Sequence, residues 1–243
     1  MDIEEILRSN DHRPWPIPTN SWSYYQEWNN AIFLHWEVEL SELKKHVPKE
    51  LQIDTFQGKP WVSVVAFTME KIRPKNLPYF NPISNFHEIN IRTYVKANGK
   101  TGVYFLSIEA AKRVSCFVAR KISKLPYRYS KIKRSFNTFE SHNNQHNEHL
   151  KINFSIKKEQ VEKTSLDSWL TERYALFQEH KNQINEFEIH HLAWPLYSIK
   201  MNAIDLNYPR FDRLLNGQPH KISYSKGVQV LSWREKQLPP INF

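Results

Sequence analysis

The 243-residue sequence predicts an α+β fold, a closed or strongly curved antiparallel β-barrel with a few inserted helices, and three observations carry this reading. Segments with the period of two that a strand imposes outnumber those with a helical period. One of them, Phe86-His-Glu-Ile-Asn-Ile-Arg-Thr-Tyr-Val95, is sharply two-faced: Ile89, Ile91, Thr93 and Val95 line one side, Glu88, Asn90 and Arg92 the other. It is followed by a turn, a second strand and a helix, a compact unit of the kind that builds sheets with helices inserted. A strand with one ionic face fits either a sheet edge bathed in water or a small barrel whose interior holds a few placed polar groups.

The elements follow in order. His12-Arg-Pro-Trp-Pro16 and Ile17-Pro18 are too rich in proline for regular structure, so residues 1–25 are expected to form an extended Pro/Trp-rich arm held down by Trp15 and Trp22. Ala31 to Val38 alternates as a strand, with Ile32, Leu34, Trp36 and Val38 on one side and Phe33, His35 and Glu37 on the other. Ser41 is a candidate N-cap for a short helix over Glu42 to His46, ended by Val47-Pro48. Trp61 to Met69, rich in Val and aromatics and bracketed by Pro60 and Pro74, predicts a buried strand. Asn98-Gly99 supplies a hairpin turn into Val103 to Ile108. From Glu109, apolar residues at Ala110, Ala111, Val114, Phe117, Val118 and Ile122 predict an amphipathic helix closed by Leu125-Pro126. A strand at Leu150 to Ile156, a helix at Leu166 to Phe177 capped by Thr164 or Ser165, and extended segments at Glu186 to Met201 and Val228 to Trp233 complete the reading. No Pro/Gly/Ser-rich linker divides the chain, so one domain over 1–243 is expected.

Composition narrows function. The single cysteine, Cys116, lies among apolar residues and cannot form an intrachain disulfide, which points to a buried thiol in a reducing compartment. The start of the chain carries acidic residues where a signal peptide is basic, and no window approaches 18 uninterrupted apolar residues, so a cytoplasmic protein with no membrane partner is expected. Lys plus Arg exceed Asp plus Glu by 34 to 25, and Arg120 to Arg134 holds seven basic residues with no acidic one. With Tyr127 and Tyr129 interleaved, that stretch has the character of a single-strand nucleic-acid surface, but no recognised motif accompanies it and a solvated basic loop is favoured.

The five glycines form neither a phosphate-cradling loop nor a nucleophile elbow, which excludes nucleotide and serine-hydrolase readings. His142, His146 and His149 have helix-compatible zinc spacing, but they sit in a polar, Asn-rich tract, so an exposed loop without metal is expected. His190-His191, ahead of Leu192-Ala-Trp-Pro195, fits packing against the tryptophan as well as it fits a functional role. The remaining candidates are Glu88, Asn90 and Arg92 on one strand face, joined by Lys121, Lys124, Tyr127 and Arg128 from the end of the following helix. An interior lined this way holds a carboxylate through arginine and offers Glu88 as an acid or base. Glu88 and Arg92 are four residues apart, about 13 Å on an extended strand, and so need a ligand or Asn90 between them.

Several segments, in order, carry a resemblance: His12-Arg-Pro-Trp15, Val47-Pro-Lys-Glu-Leu-Gln-Ile-Asp54, Phe86 to Val95, Ala119-Arg120 with Leu125-Pro-Tyr127, Leu170-Thr-Glu-Arg-Tyr174 and His190-His-Leu-Ala-Trp-Pro-Leu196. Over nearly its full length the chain resembles the YqjF-like family of uncharacterised bacterial proteins. That family in turn looks like a distant branch of the acetoacetate decarboxylase-like superfamily, which implies an antiparallel, cone-like barrel with the active site inside. In the decarboxylases a Schiff-base lysine and a neighbouring lysine that lowers its pKa follow a Tyr-Pro or Phe-Pro pair. Aligned on Pro126, those positions hold Tyr127 and Arg128. The glutamate of the central strand matches Glu88, whereas the substrate-binding arginine falls at Glu37 and a second glutamate near Val62. Acetoacetate decarboxylation through an imine is therefore not expected. What the resemblance leaves is a barrel that binds a small, anionic organic acid or carbonyl compound, with Glu88 and Tyr127 as the acid–base candidates and Asn90, Arg92, Arg128 and Lys124 as ligand-binding candidates. No cofactor is expected, and self-association is left open. The rival expectation is a non-catalytic ligand sensor or structural protein.

Overall fold

Residues 2–160 and 162–239 are described by a computed structural model; the few others that the single-domain expectation includes lie outside the described residues. The N-terminal arm is not wholly extended: before its prolines it forms a helix, α1 (Ile3–Arg8), whose buried Ile6 packs with Tyr25, Leu231 and Trp233. The strand read at Ala31 to Val38 is longer at its start, β1 (Tyr24–Glu37), and bulges at Asn30, which takes a positive φ next to the Asn29–Gly227 pair. The short helix α2 (Leu40–Leu43) starts earlier than Ser41, with Glu39 at its N-cap, and the strands β2 (Gln52–Ile53) and β3 (Trp61–Pro74) follow. The loop after β3, which carries Pro78 and Pro82, holds one helical turn, α3 (Asn81–Ser84).

The hairpin formed by β4 (Phe86–Ala97) and β5 (Lys100–Ala110) turns on Asn98 and Gly99, both at positive φ, as a tight turn matched to strand twist requires. Helix α4 (Arg113–Ser123) begins after β5 has used Ala110, and only Ser115 and Cys116 of it are buried. Val114, Phe117 and Ile122, read as its inward stripe, are exposed. The chain continues through β6 (Tyr127–Tyr129), β7 (Lys131–Arg134), β8 (Thr138–Asn143) and β9 (Glu148–Glu159). Helix α5 (Ser165–Thr171) has the Thr164 cap, reinforced by Asp167 in a capping box, but stops at Thr171. The residues read as its second half are a strand, β10 (Ala175–His180), because Leu176 faces the barrel interior while Ala175 and Phe177 face the opposite core. The last strands are β11 (Gln183–His191), β12 (Leu196–Asn207), β13 (Lys221–Ser232) and β14 (Lys236–Gln237).

Seven strands close on themselves in the order β11-β10-β5-β4-β3-β1-β13, the ring completed by the pairing of β11 with β13. The barrel is mixed rather than wholly antiparallel, since β10 runs parallel to β5, as does the short β6. From β13 the sheet continues outward through β12, β9, β8 and β7. This second layer covers one side of the barrel and buries Ile32, Leu34, Val64, Ile89 and Ile91 against Phe139, Leu150, Ile152 and Phe154. The other side chains of the same barrel strands, among them Phe33, Val65, Phe67 and Phe187, fill a second apolar cluster inside the ring. The greasy face of β4 thus meets the outer layer, and its ionic face points inward.

Candidate functional site

The inward face of β4 puts Glu88, Asn90 and Arg92 at successive positions along the inside of the barrel, 3%, 4% and 7% exposed. A cavity of about 320 Å³ opens beside them. Its wall is mainly apolar and aromatic, with Trp28, Phe33, Phe67, Phe105, Phe187 and Trp194 contributed by four different strands and the loop after β11. Burial among these groups disfavours charge and raises the Glu88 carboxyl from its ordinary value to about 8. Two hydrogen bonds oppose that rise. The Tyr127 hydroxyl donates to Oε2 of Glu88 at 3.1 Å and Nδ2 of Asn90 donates to Oε1 at 3.5 Å. Tyr127 is brought there by β6, which pairs with β5 so that Tyr127 stands opposite Ile108, itself on the inside of the ring.

Arg92 forms no ion pair with Glu88. Its guanidinium lies 6.0 Å from the Phe33 ring and donates to the carbonyl of Leu170 at the end of α5, at 3.3 Å. Its Nε and the Oδ1 of Asn90 are buried without a partner, a donor and an acceptor left open on the cavity-lining face. Helix α5 closes this end of the barrel. Tyr94 also donates to Leu170, and a buried chain from His35 through Ser63 to Tyr94 continues below it, with 2.6 Å links. Burial pushes His35 down to about 3, so it is neutral there. Arg173, which also lines the cavity, is held by Asp54 at 2.8 Å and stacks on Trp169 and Tyr94.

At the opposite end the cavity opens between α3, α4, the end of β3 and the segment after β13, with Ile83, Val118, Ile122 and Arg234 on its rim. The structure therefore brings Glu88, Asn90, Arg92 and Tyr127 together around one cavity. It places two other sequence candidates elsewhere. Successive side chains of a strand point to opposite faces, so with Tyr127 inside, Arg128 must point out. There it bridges Glu109 at 3.0 Å and Glu148 at 2.9 Å, beneath the second layer. Lys124 caps α4 with a positive φ and pairs with Glu235 on the surface at 2.8 Å. The basic stretch from Arg120 to Arg134 is accordingly divided among α4, β6 and β7 and forms no single stripe.

The histidine tract is a hairpin rather than a loop: His142 on β8 stands opposite His149 on β9, their rings 6.1 Å apart, and His149 reaches Asp205 at 3.1 Å. Among the described residues no group of three or more His, Cys, Asp or Glu is placed to hold a metal ion. The Cys116 thiol is buried, donates to the Arg128 carbonyl at 3.3 Å and is pushed up to about 11 by desolvation. The His190-His191 pair divides by strand alternation. His191 lines the cavity beside Trp194, whereas His190 faces the arm and meets the carbonyl of Ile6. Sequence reasoning missed Thr171, Arg173 and Trp194 as cavity residues, and left His191 between packing on the tryptophan and a functional role; it does both, lying against Trp194 on the cavity wall. The signal was present in two of the segments that carried the resemblance, Leu170 to Tyr174 and His190 to Leu196.

Among the described residues that line the cavity none is a lysine. Residues 25–229 match the model of a family described as an uncharacterized conserved protein, DUF2071. The chain belongs to the DUF2071 family. Within reach of it is the uncharacterized protein YqjF of Bacillus subtilis (strain 168), 34% identical over 232 residues, 89% of this chain and 93% of that protein. Solved structures extend the likeness at the level of fold. Acetoacetate decarboxylase from Legionella pneumophila superposes with a TM-score of 0.64 at 12% identity, covering 96% of this chain and 95% of that one. The enduracididine biosynthesis enzyme MppR, solved in complex with pyruvate, gives 0.59 at 8% identity, with 94% and 95% covered. An acetoacetate decarboxylase-like enzyme from Sphingomonas wittichii gives 0.63 at 11% identity, with 95% and 98% covered. The DUF2071 chain is thus an acetoacetate decarboxylase-like barrel.

Proposed function

We propose that this DUF2071 protein binds a small organic acid or carbonyl compound inside the barrel without a covalent bond, and that Glu88 serves it as a general acid. One observation carries the reading. A carboxyl held protonated near neutral pH by burial shares a cavity with a buried, unpartnered Arg92 Nε and an unpartnered Asn90 oxygen. Arg92 supplies the positive charge for a carboxylate and Asn90 accepts from a ligand hydroxyl or enol. Glu88 already accepts from Tyr127 and Asn90, so its own proton is available to a ligand oxygen or to a carbon next to a carbonyl. The MppR complex with pyruvate supports the choice of a small acid as ligand class for this fold. The lack of a lysine in the cavity wall supports chemistry without an imine. A cytoplasmic setting belongs to the same reading, supported by the lone, buried Cys116 thiol.

The test is a thermal-shift screen of purified protein against carboxylic, 2-oxo and 3-oxo acids, with borohydride trapping and intact mass on each hit. The expected result is stabilisation that Arg92→Ala removes, with no trapped adduct. An adduct on a lysine, or an equal shift in Arg92→Ala, overturns the proposal.

A further inference from the structure

Glu88, Asn90, Arg92 and Tyr127 share one stretch of the cavity wall, and most of the rest is apolar. Away from them the lining is chiefly Trp28, Phe67, Phe105, Leu176, Phe187 and Trp194, with Thr171, Arg173 and His191 interspersed. The apolar surface continues to the mouth through Ile72, Ile83, Val118 and Ile122, and Ile122 is 46% exposed, so it reaches solvent between the polar rim residues Arg73, Arg234 and Glu235. The volume, about 320 Å³, falls at the lower end of the range of roughly 300–1,000 Å³ that encloses drug-sized ligands. An acid of two to four carbons held by Arg92 occupies only the polar end and leaves water against the aromatic wall.

We infer that the ligand is amphipathic: an organic acid or oxo acid whose polar head meets Arg92, Asn90 and Glu88, and whose aromatic, branched or medium-length alkyl part lies along the wall toward α4. This rests on the head-group reading proposed above. The orientation is fixed by the wall. With the head at the mouth, the tail would press against the buried Glu88, Asn90 and Arg92 and leave the open Asn90 Oδ1 and Arg92 Nε unmet.

The experiment is isothermal titration calorimetry of the wild-type protein with saturated straight-chain carboxylates from acetate to decanoate, with phenylacetate and 3-phenylpropionate alongside, and with the primary alcohols of the same lengths. Each methylene beyond butyrate is expected to tighten binding about fourfold until the cavity is full, with a heat-capacity change that grows more negative with chain length. Phe105→Ala, at a half-buried wall position, is expected to weaken the long acids and leave acetate unchanged. Affinity that is flat with chain length, or tightest for two- to four-carbon acids, overturns the inference while leaving the head-group reading intact. Alcohols that bind as tightly as acids of equal length overturn the head-group reading and leave the tail inference standing. Absence of binding by both series overturns the inference.

Discussion

The Tyr127 hydroxyl and the Glu88 carboxyl are joined by a 3.1 Å hydrogen bond across the inside of the barrel, from β6 over β5 to β4. The bond gives the buried carboxyl a partner at Oε2, while Asn90 meets Oε1. Burial, reinforced by the neighbouring Glu88 carboxyl and by this bond, pushes the tyrosine hydroxyl well above its ordinary pKa, so Tyr127 stays a donor across the accessible pH range.

Glu88 makes stability depend on pH in a definite direction. Below its ordinary 4.5 the carboxyl is protonated in both folded and unfolded chains; between 4.5 and about 8 only the folded protein keeps the proton. Its contribution is therefore full in acid and is lost as pH rises, at roughly 1.4 kcal/mol per pH unit, until the folded carboxyl ionises near 8. Glu88→Gln, which keeps the shape and removes the proton, is expected to be more stable than wild type at pH 8 and to lose that slope. Urea unfolding of both proteins between pH 5 and 9 checks it, and taking the difference cancels the opposite pH dependence of buried His35. Parallel curves for the two proteins contradict the assignment.

Tyr127→Phe removes the larger of the two hydrogen bonds that favour ionised Glu88. The carboxyl is expected to titrate above 8 in this variant, read from the carboxyl carbon by NMR, with a stability cost of roughly 0.5–1.5 kcal/mol. A downward shift contradicts the hydrogen-bond geometry.

Gly102 lies where β5 meets the parallel strand β10, and a Cβ there would run into the backbone of Ala175 and the ring of Phe177. Gly102→Ala is expected to cost roughly 1–3 kcal/mol by forcing this seam apart, measured as a lowered urea midpoint. An unchanged midpoint means that the two strands do not approach so closely.

Asp54 holds buried Arg173 at 2.8 Å and also pairs with Lys96 at 2.9 Å. Asp54→Asn leaves the Arg173 charge without its counterion at the edge of the cavity, and a loss of roughly 3–5 kcal/mol is expected in chemical denaturation. The double change with Arg173→Met is expected to recover part of it.

The barrel was legible where a strand has two chemically distinct faces. Ile32, Leu34 and Trp36 against Phe33 and His35, and Ile89 and Ile91 against Glu88 and Asn90, separate into the two cores as their alternation requires. Alternation alone does not say which face turns inward. On β4 the ionic side does, because the second layer of β7, β8, β9 and β12 competes for the greasy side. The errors fell where local pattern and tertiary position disagree. Ala175-Leu-Phe177 continues the helical spacing of α5, yet pairing with β5 and β11 makes it a strand. The exposed stripe of α4 kept its period while the helix buried only its small residues. Tyr127 and Arg128 were grouped as one site although neighbours on a strand cannot share a face. Arg173 was not singled out and His191 was left undecided, because nothing local tells a buried arginine or histidine that lines a cavity from one that only packs.

The most direct measurement is a crystal structure of the protein soaked with the tightest acid from the titration series. The account predicts the carboxylate against Arg92, a ligand oxygen or reactive carbon beside Glu88, the tail on the wall toward Ile122, and no covalent bond to any lysine. A ligand bound outside the barrel, seated with its carboxylate at the mouth, or joined to a lysine contradicts it.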